Sequence, residues 1–587
     1  MLETLHLPAP AEQVATDHAV CYPPTAPGQD TVLEPLSPDR LAEDFLALTL
    51  PGHQADYPAQ LWASTVSTTL LARESNRTAR VWTSRAVTFL ANAAERWPHL
   101  GPRHLFPLLR ADPQLALTAG SAALTALAGL DDIDPALLEA IASRFPEERH
   151  VDLDIGIASV ASRLARHRLA GTGNPTDRAA IHHDLSIRLF NAGRHEEALA
   201  ASQQAVTLYR ALPADQLAPQ DSDRVEANRG ISLRSLGLRL YQLGRWSEAL
   251  DATEEAVTIL RRLAAHDPNG FRGELSAALL DLSRHLSRVG RWTEATARVE
   301  ESVERYREPA ASDPVAHESG LSASLGGLSI CLTHVGRWDD ALAAAREAVS
   351  ILRRLADRSP ARYEPDLATA LHNLGADLSR LQRMPEALAA VEEAVAVNRR
   401  LAAANPAAHE ADLADGLTSL SLRRLAAGRR AQALAAVEEA VAVYRRLVAG
   451  TNPAAYESSF AEGLLSLGFS LLFSAGRVSD ALAAVEEAVA VNRRLAAGDP
   501  AAHEHQLVVS LAGLAGLRAE TGTDLTEALR AVVESLTISR RLEENAPMDV
   551  MAGLTGTVRE VSTRLAVVLE AAGRGREAAE LRSLLAR

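Results

Sequence analysis

Few residues in this 587-residue chain have the types and spacing that chemistry needs. His182-His183-Asp184 and His503-Glu504-His505 could each begin a zinc site, since imidazole and carboxylate are zinc ligands. Both lack further ligands at a convincing spacing and fit helix surfaces. The cluster Asp131, Asp132 and Asp134 could ligate a cation. However, Asp134-Pro135 reads as a helix start, with the aspartate as cap. His317, His409 and His503 recur in register, with Tyr363 and Tyr456 in the same slot. A slot that takes either residue points to shared packing rather than proton transfer. No Gly-x-Ser-x-Gly or His-Glu-x-x-His sequence occurs, and all 60 basic residues are arginine. Without lysine there is no standard Walker A loop, whose lysine contacts the β- and γ-phosphates. Schiff-base catalysis is excluded for the same reason. The expectation is no enzyme, no cofactor and no metal.

The formal charge of −15 is spread thinly along the chain. Phosphate neutralisation needs a cationic surface, so nucleic acid is not an expected partner. Cys21 and Cys331 lie far apart and make no disulfide framework, which suits a reducing cytoplasm. No signal peptide and no run of 18 apolar residues is evident, so neither export nor a membrane partner is expected. The apolar fraction is 47% and the aromatic fraction only 4%. Alanine and leucine favour close-packed helices over sheets. A chain this long calls for several domains or one solenoid.

The elements that would carry any function are legible from an internal repeat. Gly244-Arg245-Trp246 recurs 46 residues later as Gly290-Arg291-Trp292, and again as Gly336-Arg337-Trp338. It decays to Gln382-Arg383-Met384, Gly428-Arg429-Arg430 and Gly476-Arg477-Val478. Looser copies stand at Gly193, Gly522 and Gly573. A fixed period of this size means a stacked array, because one unit alone cannot bury its apolar face. Within 405–450, Asn405-Pro406 opens a first helix, and Gly428 ends it in a left-handed turn. The pairs Asp267-Pro268, Asp313-Pro314, Ser359-Pro360, Asn452-Pro453 and Asp499-Pro500 repeat that start. Ala433, Leu434, Val437, Ala440, Val441, Tyr444 and Leu447 form the apolar stripe of a second helix. Glu438 and Glu439 fall early in that helix and Arg445 and Arg446 late, as the helix dipole prefers. These charges read as a solvated face, with a charged partner groove as the alternative.

This unit resembles the tetratricopeptide repeat, through Leu233, Leu236-Gly237, Leu240, Gly244, Trp246, Ala249-Leu250 and Ala256. The same frame fits 277–303, 323–349 and 369–395. The family's usual period is 34 residues, so both helices should be longer here. Arg424 replaces an expected apolar residue, and the repeat containing Gly476 has an extra residue in its first helix and another in the loop before it. The resemblance implies an all-α, right-handed α-solenoid of about nine helix pairs over 175–587. It also implies that first helices line a concave face. That face would carry Arg234, Leu238, Tyr241, Arg284, Arg288, Ile330, His334, His372, Arg380, Phe469 and Phe473. The mixture suits a protein or peptide with acidic and apolar anchors. Arginine as ordinary polar filler is the competing reading.

Residues 1–40 are rich in proline and read as a poorly ordered lead-in. Residues 41–174 read as an irregular helical domain, with helices over 58–73, 79–97, 103–109, 113–129, 135–144 and 155–169. The runs Leu36–Phe45, Leu50-Pro51-Gly52-His53 and Arg149–Asp154 resemble the region that precedes the repeats in actinobacterial signalling ATPases of the NACHT-containing switch class. That resemblance implies a sensor module whose partner is a P-loop ATPase. The leading expectation is a non-enzymatic interaction scaffold. The sensor module is second, and an enzyme within 1–170 is third.

Overall fold

The computed structural model describes residues 39–58, 60–65, 69, 83–146, 152–212, 219–450, 456–543 and 548–586. Residues 1–38 of the proline-rich lead-in with Cys21, half of the expected helix over 58–73, Arg149-His150-Val151 and Asn452-Pro453 lie outside them, whereas Asp39 and Arg40 already belong to a helix. No strand occurs among the described residues. The chain divides into two compact units, Met1–Asp281 and Leu282–Arg587.

Among the described residues the first unit opens with the α-helices α1 (Asp39–Thr49), α2 (Thr83–Arg96), α3 (Phe106–Ala111), α4 (Gln114–Ala119), α5 (Ser121–Gly129), α6 (Pro135–Ala142) and α7 (Asp154–Gly171). They share a core running from Ala47 and Leu50 to Val160 and Leu164. The expected helix over 113–129 is two helices, because Gly120 at φ +94° breaks it. Asp134 accepts the Ala136 N–H at 2.9 Å and starts α6 as expected.

Helix pairs follow in chain order. They are α8 (Pro175–Asn191) with α9 (His195–Ala211), α10 (Pro219–Gln242) with α11 (Trp246–His266), and α12 (Arg272–Arg288) with α13 (Trp292–Ser312). Next come α14 (Pro314–His334) with α15 (Trp338–Arg358), α16 (Pro360–Arg380) with α17 (Met384–Ala404), and α18 (Pro406–Ala426) with α19 (Arg430–Val448). The last are α20 (Glu457–Ala475) with α21 (Val478–Gly498), α22 (Pro500–Thr521) with α23 (Leu525–Glu543), and α24 (Met548–Ala571) with α25 (Gly575–Ala586). The division between units falls inside α12. Within each unit successive helices pack side by side, as a solenoid requires. The frame residues Leu233, Leu236, Leu240, Ala249 and Ala256 are all buried. α20 is long and apolar enough to cross a membrane by length and composition, yet half of it is buried in this packing.

The turns explain the pairing. Gly193, Gly244, Gly290, Gly336, Gly428, Gly476, Gly522 and Gly573 all sit at positive φ, between 62° and 79°. At Gly244 the glycine N–H reaches the Tyr241 carbonyl at 3.1 Å, and the Arg245 N–H reaches Leu240 at 2.9 Å. This satisfies two of the carbonyls that a helix end leaves free. The arginine that follows forks back onto the second helix. Arg245 pairs with Glu248, Arg291 with Glu294, Arg337 with Asp340 and Arg383 with Glu386, at 2.6 to 2.8 Å. At Gly476 the hydrogen bonds widen by one residue, from Arg477 to Leu471, which absorbs the insertion seen in the sequence.

Helix starts follow the expected caps in part. Asp313 accepts the Ala316 N–H at 3.3 Å, whereas Ser359 makes no side-chain cap. Asp267 bonds the Gly270 N–H at 3.0 Å within a turn. The helix there begins only at Arg272, four residues later than expected. Arg424 keeps its place by pairing with Glu392 at 3.1 Å.

The charges read as a solvated face form two ladders. In the first, an arginine late in a second helix reaches the second helix of the next pair. Arg353 meets Glu393, Arg399 meets Glu439 and Arg493 meets Glu534, each at 2.5 Å, and Arg445 meets Glu487 at 3.2 Å. In the second, the neighbouring arginine reaches back to the first helix of its own pair. Arg354–Glu318 and Arg400–Glu364 close at 2.5 Å, Arg446–Glu410 at 2.9 Å and Arg494–Glu457 at 2.8 Å. Exposed pairs each contribute about 0–1 kcal/mol. Apolar burial, about 1.5–3 kcal/mol per large side chain, carries the stability.

Two expectations follow. Gln382 occupies the turn slot at φ +60° where other repeats hold glycine. Replacing it, Gln382→Gly, should stabilise the chain by about 1 kcal/mol, and Gly336→Ala should cost a similar amount, both read by denaturant unfolding. The adjacent arginines should differ. Glu318 keeps only 9% of its side chain exposed, with Oε2 lacking a hydrogen-bond partner. Arg354→Ala strands that carboxylate and should cost about 2 kcal/mol. Arg353→Ala should cost under about 1 kcal/mol, and equal losses would refute the distinction.

Candidate functional site

Every residue expected on the binding face lies on a first helix. Arg234, Leu238 and Tyr241 are on α10, Arg284 and Arg288 on α12, and Ile330 and His334 on α14. His372 and Arg380 are on α16, with Phe469 and Phe473 on α20. In the first unit Arg234 lies 3.9 Å from Glu274 and 3.8 Å from Asp281, and Tyr241 packs against the α10–α11 core. In the second unit Arg284, Arg288, Ile330 and Arg380 are exposed. His334 stacks on Trp292, with ring centroids 3.7 Å apart and planes 7° from parallel.

Of this set, Phe469 and Phe473 line a cavity. They lie one helical turn apart on α20, rings 6.5 Å apart and nearly parallel. Opposite them stand Val509 on α22 and Val561 on α24, with Leu422 of α18 at one end and Leu465 in the wall. The cavity is about 400 Å³. Small residues on α22, Ala512, Gly513 and Gly516, make the room. A Cβ on Gly513 would already stand 3.4 Å from Leu465 and 3.6 Å from Phe469. Leu422, Phe473 and Val509 remain 44–45% exposed, so the groove is open.

Sequence reasoning missed Leu422, Leu465, Val509 and Val561. A signal for Leu422 existed. Six residues before the turn, successive repeats hold Leu238, Arg284, Ile330, Ala376 and Leu422. Phe469 joins this series only after the insertion in its helix is allowed for. Val509 and Val561 belong to degenerate repeats where the register gives no guide.

Carboxylates line the edge: Glu462 on α20, Glu520 on α22 and Glu560 on α24. Glu560 is answered by Arg564 at 2.8 Å. The Glu462 carboxyl titrates above its ordinary range, through desolvation first and the nearby Asp415 second. Asp415 is raised chiefly by burial, against which the hydroxyl donated by Tyr444 acts. Burial, then the Asp415 charge, pushes the Tyr444 hydroxyl well up. His372 is lowered by burial and by Arg423.

The histidine clusters have structural partners. His183 Nδ1 lies 3.1 Å from Ser232 Oγ, and His503 Nδ1 3.1 Å from Gln506 Oε1. Glu504 is bound by Arg541 as a rung of the second ladder. Cys331 is buried 3.5 Å from Ser283, and burial raises its thiol. No group of three potential metal ligands occurs among the described residues.

The His334–Trp292 stack offers a direct test of the packing on this face. Desolvation, then Arg380, depresses its imidazolium below the ordinary value of 6.5. The imidazolium quenches indole, so acidification should dim Trp292 with a midpoint below 6.5, read as the difference from Trp292→Phe. Arg380→Gln should move that midpoint upward.

Tetratricopeptide-repeat models match residues 178–212, 231–268 and 320–400. A model of anaphase-promoting complex subunit 5 matches residues 264–319. No curated protein matches the chain. Among solved structures, BtubC from P. vanneervenii is 20% identical, covering 43% of this chain and 92% of that one, with a TM-score of 0.35. A Rap protein complexed with competence and sporulation factor is 13% identical, covering 70% and 97%, with a TM-score of 0.41. The Rap conjugation gene regulator of plasmid pLS20, in complex with the Phr* peptide, is 14% identical, covering 67% and 99%, with a TM-score of 0.37.

Proposed function

We propose that this chain is a non-enzymatic scaffold that binds a peptide, or a peptide segment of a larger protein, in the groove between α20, α22 and α24. The observation that carries the reading is an open apolar cavity of about 400 Å³ lined by Phe469 and by Phe473, the latter 45% exposed. A repeat array gains nothing from leaving such surface to water, and concave apolar cavities of this size are where ligands bind. Of the acidic and apolar anchors suggested by the sequence, the groove favours the apolar ones.

Selection of a displayed random peptide library on the whole chain tests this. Selected peptides should carry clustered apolar residues. Their affinity should fall at least tenfold with Phe469→Glu and Val509→Glu, while the helical circular-dichroism signal is kept. Peptides that bind the variants equally well, or no selection at all, would overturn the assignment.

A further inference from the structure

We propose that the occupant of this groove is a basic, apolar-anchored peptide segment, with arginine or lysine flanking the apolar side chains. The inference rests on the groove reading above and adds its charge.

Along the ladders nearly every carboxylate is answered by a guanidinium within 2.5 to 3.2 Å. Glu462 and Glu520 differ. Among the described residues neither pairs with a cation, and both line the groove. The nearest arginine in the chain to Glu520 is Arg518, and it is committed to Glu486 at 2.6 Å and Asp524 at 3.0 Å. Arg564 is held by Glu560.

The position of Glu520 sharpens the point. It lies in the last turn of α22, where the helix dipole disfavours a negative charge. The corresponding slot in earlier repeats holds Gln242, Arg288, His334, Arg380, Ala426 and, with the insertion allowed for, Phe473, none of them acidic. Glu462 sits beside Asp415, a second carboxylate in a desolvated setting. These charges are locally unfavourable, and a cationic ligand relieves both. Its apolar side chains would fill the space between Phe469, Val509 and Val561.

The chain's own residues 1–38 are the alternative occupant, and their charge argues against them. They carry Glu3, Glu12, Asp17, Asp30 and Glu34 and no arginine.

The test measures fluorescence polarisation of labelled synthetic peptides on the full chain. One peptide combines leucine and phenylalanine anchors with arginine. A second replaces each arginine by glutamate. A third keeps the arginine composition but scatters the anchors. The arginine peptide should bind, and weaken about tenfold in the Glu462→Gln, Glu520→Gln double variant. It should also weaken as salt rises. The glutamate and scattered peptides should bind at least tenfold less well. Equal binding of the glutamate peptide, or an unchanged affinity in the double variant, overturns the charge assignment. Displacement of the arginine peptide by a synthetic 1–38 peptide would give the groove to the chain's own segment and also overturn it. The groove reading fails separately: peptides would then bind, if at all, without any response to Phe469→Ala.

Discussion

Every helix pair depends on one residue that can sit in the left-handed region of backbone space. Eight glycines do so at small conformational cost, and Gln382 does so against the preference of its Cβ. The turn fixes where the first helix stops, and the arginine after it fixes where the second begins. Helix lengths follow from that, and with them the register in which apolar stripes meet. If the turn slipped by one residue, each stripe would rotate by about 100° and the packing between neighbours would fail.

The groove arises where this regularity loosens. α20 carries an extra residue, and its turn closes through a wider hydrogen bond, from Arg477 to Leu471. Phe469 and Phe473 of that helix line the groove. α22 opposes them with alanine and glycine where a larger side chain would close the gap. A departure from the consensus thus leaves unfilled volume, and of the three carboxylates around it Glu462 and Glu520 have no guanidinium partner among the described residues.

The helix pairs, their turns and the caps at Asp134 and Asp313 were legible in the sequence because each is a local effect. Gly244 or Asp134 announces its conformation through its own chemistry and its immediate neighbours. The ladders were not read, although their residues stood out. Arg445 and Glu487 meet only once two successive pairs have stacked, and helix-dipole reasoning accounted for each residue separately. Arg424 looked like a defect for the same reason, since Glu392 lies 32 residues away. The groove was read in part. Phe469 and Phe473 were conspicuous as aromatics, but Val509 and Val561 are ordinary core residues by type. They gain meaning from Ala512, Gly513 and Gly516, the small residues of α22 that open the space beside them.

The ladders also set what the cell's enzymes can do to this array. Their cations are guanidinium groups throughout, on a chain without a single ε-amine. Acetylation, and isopeptide attachment of small modifier proteins to side chains, find no target in them. An arginine keeps its proton across the whole physiological range. The charges that tie one repeat to the next are therefore permanent. Switching through lysine modification is closed to them.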